Sequence, residues 1–261
     1  MGQGNNNKQE STMQNNHFAM SARWRQAGAA CLVVAGLALT GCASTQATNP
    51  QDPYEGYNRS MTKFNDTVDD AVLKPVATAY KTVTPSPVRT GVSNFFTNLG
   101  DLWSMVNHAL QGNGEQTYNH MVRFTTNTVL GLGGLLDIAT EMQVERNKQD
   151  FGLTLASWGV QPGPYLVLPF FGPSTVRDTL ALPIDWQGYV LADLKPVSHR
   201  NSLMGLSLVS KRASLLDATD TLDAAALDRY TLIRDFYLKQ RNPAANSSND
   251  DNAGRVESFD D

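Results

Sequence analysis

The sequence predicts an all-α fold. Apolar residues recur at intervals of three and four in several long segments, alternating strand patterns are scarce throughout, and helix-starting signals stand where the periodic segments begin. Composition agrees with an ordinary globular body: the 261 residues are 41% hydrophobic and 18% charged, enough for one sizeable domain.

The first element follows Asp52-Pro53-Tyr54-Glu55, which offers a capping carboxylate, a proline at the first helical position and an acid three places after the cap. Its apolar face is Tyr54, Tyr57, Met61, Phe64, Val68 and Val72, and Lys74-Pro75 should end or kink it. A second helix follows "TPSPVR", with Val88, Val92, Phe95, Leu99, Leu102, Val106 and Leu110 on one face, and runs to Gly112. A third, from Glu115, carries Tyr118, Met121, Val122, Thr125 and Val129.

"GLGGLLDIA", 131 to 139, lacks the Lys-Ser/Thr of a phosphate loop and the glycine spacing of a dinucleotide fold, so a tight helix-helix junction is expected. Two more helices are predicted by Leu203, Leu206, Val209, Ala213 and Leu216, then by Leu222, Ala226, Tyr230, Ile233 and Tyr237. Between these groups lies "GVQPGPYLVLPFFGPSTVRD", 159 to 178, strongly apolar yet broken by Pro162, Pro164, Pro169 and Pro173. No long helix survives that spacing. Irregular apolar backbone at membrane depth is tolerated only where protein or a water-filled cavity satisfies it, so the stretch is a candidate pore wall or gate.

The N-terminal region gives an address. Arg23 and Arg25 form a positive n-region, Ala27 to Leu39 an apolar h-region, and small residues follow, as in a secretory signal whose start is Met20 or Met1, the polar 1–19 prefix favouring Met20. The run is shorter than the roughly 20 apolar residues that span a bilayer. Met1-Gly2 is no myristoylation site, because Asn6 stands where Ser or Thr is required. Leu39-Thr40-Gly41-Cys42 resembles the lipobox of bacterial lipoproteins, in which the cysteine is lipidated and the signal is cut before it. Cys31 would leave with the signal, so a disulfide scaffold is excluded by counting. Ala43, where an Asp resembles an inner-membrane retention mark, points to the outer membrane.

The chain thus divides into an extension and signal (1–41), a lipidated N-terminus and spacer (42–51), a helical domain (52–241) and an acidic, Asn/Ser-rich tail (242–261) read as disordered. The domain carries 17 basic and 19 acidic side chains, and the whole chain a formal charge of −4, which excludes a nucleic-acid grip. Enzyme chemistry is missing. There is no Gly-x-Ser-x-Gly, His-Glu-x-x-His or Cys-x-x-Cys, and "DFG" at 150 to 152 lacks the companion motifs of a kinase. His108, His120 and His199 read as surface or core imidazoles; neither metal nor cofactor is expected.

"DPYEGYNRSMTKFND" (52–66) closely resembles the opening of the VacJ/MlaA family of outer-membrane lipoproteins. Further blocks follow in family order: "LKPVATAYKTVTPSPVRTGVSNFFTNL" (73–99), "VNHALQG" (106–112), "NTVLGLGGLLDIA" (127–139), "DFGLTLASWGVQPGPYLVLPFFGPSTVRD" (150–178) and "YTLIRDFYLKQR" (230–241). The resemblance implies a ring of amphipathic helices in the periplasmic-side leaflet of the outer membrane, around a central amphipathic channel. It also implies a non-enzymatic role: phospholipids stranded in the outer leaflet pass through the channel to a soluble periplasmic carrier, MlaC, with porin trimers as neighbours. The alternative is a lipoprotein that scaffolds porins without moving lipid.

The same resemblance makes Asn58, Arg59 and Asn65 candidate channel residues and Gly159, Gly163 and Pro164 candidate gate residues. Two departures stand out: Asp66 where the family often has an aromatic, and Gln161 with Pro162 where it has glycine, which should stiffen the gate. Arg177, Lys195 and Arg200 follow the gate, where a cation could meet phosphate, but ordinary surface charge explains them equally.

Overall fold

The structure, a computed structural model, describes residues 49–242. Cys42, the signal, and the tail after 242 lie outside them. Nine α-helices are found among the described residues, with one two-stranded hairpin. The all-α expectation therefore holds with a single exception, placed in the proline-broken stretch.

α1 (Glu55–Val68) passes through one π-helical turn (Asp69–Leu73) into α2 (Lys74–Val83), so the Lys74-Pro75 signal restarts the helix instead of ending it. Pro75 sits in the first turn of α2, where its missing N–H is one of the donors a helix start leaves free. The predicted cap is not a cap. Asp52 is fully buried and bonds elsewhere, and α1 starts at Glu55 without a side-chain cap.

α3 (Ser86–Leu110) and α4 (Gly114–Val129) form an antiparallel pair, and α4 is capped by Asn113, whose side chain accepts from the Gln116 amide. The glycine turn after α4 is the tight junction expected. A Cβ on Gly131 would lie 2.2 Å from the Leu136 carbonyl and 2.4 Å from that of Asn127, which excludes any side chain. α5 (Ile138–Glu141) and α6 (Phe151–Ser157) are short, and an irregular segment, 142–150, joins them.

The strands β1 (Tyr165–Leu168) and β2 (Gly172–Thr175) pair antiparallel, Tyr165 opposite Thr175 and Leu168 opposite Gly172. α7 (Val176–Gly188) follows directly, capped by the Thr175 hydroxyl. α8 (Val197–Ala225) is one continuous helix through Leu222, and α9 begins only at Arg229 and runs to Gln240. The boundary between the two predicted helices, expected between Leu216 and Leu222, falls instead at 226–228, where Asp228 caps α9.

The burial pattern is inverted. Among the described residues, nine apolar side chains are buried, four of them alanine, against seventeen polar or charged ones; 32 large apolar side chains are exposed. On α3 the buried residues are Asn98, Asp101, Ser104, Asn107 and His108, whereas Val88, Val106 and Leu110 of the predicted apolar stripe face outward. On α4, His120, Arg123 and Asn127 are buried while Tyr118, Met121 and Val129 are exposed. Small apolar clusters remain: Ala77, Ala213 and Leu216 join α2 to α8, and Tyr165, Val167 and Tyr230 join the hairpin to α9. No described helix is long and apolar enough to cross a membrane.

Candidate functional site: a polar interior around a lumen

Segment 142–150 has no regular structure, yet a charged knot holds it against α3 and α4. Asp101 accepts two bonds from Arg146, at 2.6 and 3.1 Å, and one from His120 Nδ1 at 3.1 Å. Arg123, 1% exposed, donates to both oxygens of Asp137 at 2.8 and 2.9 Å and to the Val144 carbonyl. Asn127 finishes the knot by donating to Asp137 and accepting from the Ala139 amide. Buried charge survives here because each ion has both a counter-ion and further hydrogen-bond partners.

His108 and His120 stack at 5.1 Å, and each places Nε2 on the Asn147 carbonyl, at 2.7 and 2.8 Å. Burial lowers the pKa of His108; its bond to the Asn147 carbonyl opposes that shift and the neighbouring His120 adds to it. Both rings are core imidazoles, one of the two options in the sequence reading. The carboxylate beside His120 comes from another helix, 19 residues away, where no local pattern could have flagged it.

These elements line a half-open cavity of about 810 Å³. One face of α3 lines it, with Phe96, Thr97, Gly100, Asp101, Trp103 and Ser104 at helical spacing. One face of α8 lies across it, with Ser207, Ser210, Lys211, Ser214 and Leu215. Between them come the 146–150 chain, Leu168, Phe171 and Ser174 of the hairpin region, Asp178, Leu182 and Asp185 of α7, and Tyr237 and Arg241 at the end of α9. The wall is of mixed polarity: Phe96, Leu168, Phe171, Leu182 and Leu215 are apolar, while Arg146, Lys148, Lys211 and Arg241 bring positive charge. Burial raises the pKa of Asp185, against donors from the Phe151 amide and Trp103 Nε1, both at 2.8 Å.

The hairpin is held mainly by α1. Asn58 Nδ2 donates to the Tyr165 carbonyl at 3.1 Å, and its Oδ1 accepts from the Val167 amide at 2.8 Å. Two helical turns on, Asn65 repeats the device, donating to the Leu168 carbonyl at 2.9 Å and accepting from the Phe170 amide at 2.7 Å. Two side-chain amides thus supply the bonds a third strand would have made. Asn58 also donates to buried Asp52, which accepts the Tyr230 hydroxyl at 2.5 Å and Arg234 at 3.2 Å. Arg59 lies over the Tyr230 ring at 4.3 Å and pairs with Asp228 at 2.6 Å.

Asn58, Arg59, Asn65, Gly159, Gly163 and Pro164 are absent from the wall of the large cavity; they hold or flank the hairpin whose residues form that wall. Gly159 and Gly163 both have positive φ, at 89° and 67°, so the approach to β1 turns where L-residues are strained. The Pro162 and Pro164 carbonyls accept from the Arg177 and Val176 amides, which ties this approach to the start of α7. Arg177 is buried and bonded to Asp178, and Lys195 and Arg200 do not line the cavity. Sequence reasoning missed the lumen cations Arg146, Lys148, Lys211 and Arg241. Only Lys211 carried a signal, standing on a helix face shared with Ser207, Ser210 and Ser214.

A family model described as MlaA lipoprotein matches residues 50–244. The chain is 39% identical over 216 residues to the intermembrane phospholipid transport system lipoprotein MlaA of Escherichia coli K12, covering 80% of this chain and 84% of that one. Against the protein of the same description from Haemophilus influenzae, identity is 33% over 217 residues, covering 79% and 86%. An uncharacterized protein of Rickettsia typhi is 37% identical over 193 residues, covering 73% and 76%. A solved structure described as "Structural basis for maintenance of bacterial outer membrane lipid asymmetry" superposes with a TM-score of 0.64 at 36% identity, covering 74% of this chain and 98% of that one.

Proposed function

The chain belongs to the MlaA lipoprotein family, and on that premise we propose that it serves intermembrane phospholipid transport as a conduit, removing misplaced phospholipids from the outer leaflet of the outer membrane through its lumen. It catalyses no bond change. Cys42 carries the lipid anchor, the helices lie in the periplasmic-side leaflet, porin trimers flank them, and the soluble carrier MlaC takes up the lipid.

The observation that carries this reading is the inverted polarity around the cavity: apolar side chains outside, polar ones inside, and a lumen wall that offers both. An exterior of that kind suits hydrocarbon, where amphipathic helices can rest without crossing. The energetics ask for such a wall. Carrying a phospholipid through water exposes about thirty methylenes at ~0.8 kcal/mol each, over 20 kcal/mol in all, and drawing its charged head through hydrocarbon is also costly. A passage with a wet side for the head and an apolar side for the tails lowers both barriers.

The test is removal and repair. Deleting the gene should raise phospholipid in the outer leaflet, and the wild-type chain should restore it. A plugged variant, Ser210→Trp, should restore membrane localisation and any porin association but not lipid asymmetry. Full repair by the plugged variant would favour a porin scaffold.

A further inference from the structure

Four carboxylates line the lumen, and each is engaged. Asp101 holds Arg146 and His120, Asp150 accepts Arg241 at 2.7 Å, Asp178 takes Arg177 at 3.0 Å and the Tyr237 hydroxyl at 2.9 Å, and Asp185 accepts Trp103 and Phe151. The four lumen cations divide otherwise. Arg146 and Arg241 belong to these pairs, whereas no salt bridge among the described residues joins Lys148 or Lys211 to a carboxylate.

Their positions make this informative. Lys148 comes from the segment pinned by the charged knot, and Lys211 from the serine face of α8; both line the same cavity. Arg212, next along α8, turns away and pairs with Asp69 at 2.7 Å, so the helix separates a structural cation from one with no carboxylate partner among the described residues. Protein around Lys211 lowers its pKa, and the charge of Lys148 lowers it further. Two ammonium groups that open onto one cavity offer an anion there charge-assisted hydrogen bonds.

We propose that Lys148 and Lys211, with the hydroxyls of Ser210 and Ser214, form a station in the lumen for a phosphate group, the phosphodiester of a lipid in passage. The proposal rests on the conduit reading and adds a ligand group and a place to it. The remaining wall then sorts itself: Phe96, Phe171 and Leu215 are left to the acyl chains.

The test uses the full-length lipidated protein in detergent with two photoactivatable probes of identical chains, a phosphatidylglycerol and a diacylglycerol. The wild type should label with phosphatidylglycerol in preference to diacylglycerol. K148Q/K211Q should lose that labelling on the order of tenfold while diacylglycerol labelling stays unchanged. K148R/K211R, which keeps both charges, should recover most of it. Partial protection of the wild type, but not of K148Q/K211Q, by millimolar inorganic phosphate would support the shared phosphate chemistry. Undiminished phospholipid labelling of K148Q/K211Q would overturn the station and leave the conduit standing, whereas absence of labelling by either lipid in the wild type would refute the conduit itself. Protection by inorganic phosphate with no preference between the two lipids would assign the lysines to a free anion and overturn the lipid form of the proposal.

Discussion

The α3–α4 pair and the β-hairpin both bury polar groups, but by opposite means. In the helical pair the groups are mostly ions: Asp101, Arg123, Asp137 and Arg146 close a knot in which every charge has a counter-charge. At the hairpin they are mostly backbone amides and carbonyls, met by the two asparagines of α1. Ions cannot part without leaving a charge in low dielectric, whereas amide bonds can open if water replaces them. The difference teaches that the two sides of the lumen are ordered by different forces, ion pairing on one and amide hydrogen bonds on the other.

The strongest way to break that comparison is Arg123→Ala. It takes from Asp137 its close counter-ion, while Asp101 keeps Arg146, and should cost about 3–5 kcal/mol, so that folded protein hardly accumulates. Near-normal denaturation in detergent would show that the knot is dispensable.

The hairpin should respond less. Asn58→Ala orphans the Tyr165 carbonyl and the Val167 amide in a buried place and should cost roughly 2–3 kcal/mol. Asn65→Ala opens the more exposed end, at about 1 kcal/mol, and should speed hydrogen exchange at Phe170 while leaving Val167 protected. Equal exchange at both amides would mean that the two asparagines do not act separately.

The smallest effect concerns acidity. Folding favours the neutral His108 ring, because its folded pKa lies below the ordinary value of 6.5. Its contribution is therefore complete above that value and is lost as pH falls through the lowered one. As pH falls below 6.5 the wild type should lose more stability than His108→Gln. A loss of the same size in both would place the acid sensitivity elsewhere.

Much of this was legible in the sequence, though not its sign. The three-and-four spacing from Val88 to Leu110 located α3, but periodicity cannot say whether the stripe meets a core or a membrane, since hydrocarbon and protein interior favour the same side chains. The hairpin was hidden because Pro162, Pro164, Pro169 and Pro173 read as breakers, while the bonds that order Tyr165–Leu168 come from Asn58 and Asn65, more than a hundred residues away. Asp52 carried a capping signature, and a buried contact with Tyr230 and Arg234 outweighed it. Lys148 escaped notice because segment 142–150 has no period of its own and is placed only by its partners.

The outward display of Val88, Leu110, Tyr118, Val129 and Leu132 sets a condition on manufacture. Fresh copies released into water would stick to one another through these side chains before reaching any bilayer, and faster as their number grew. Synthesis faster than membrane uptake should therefore yield aggregate in place of working protein.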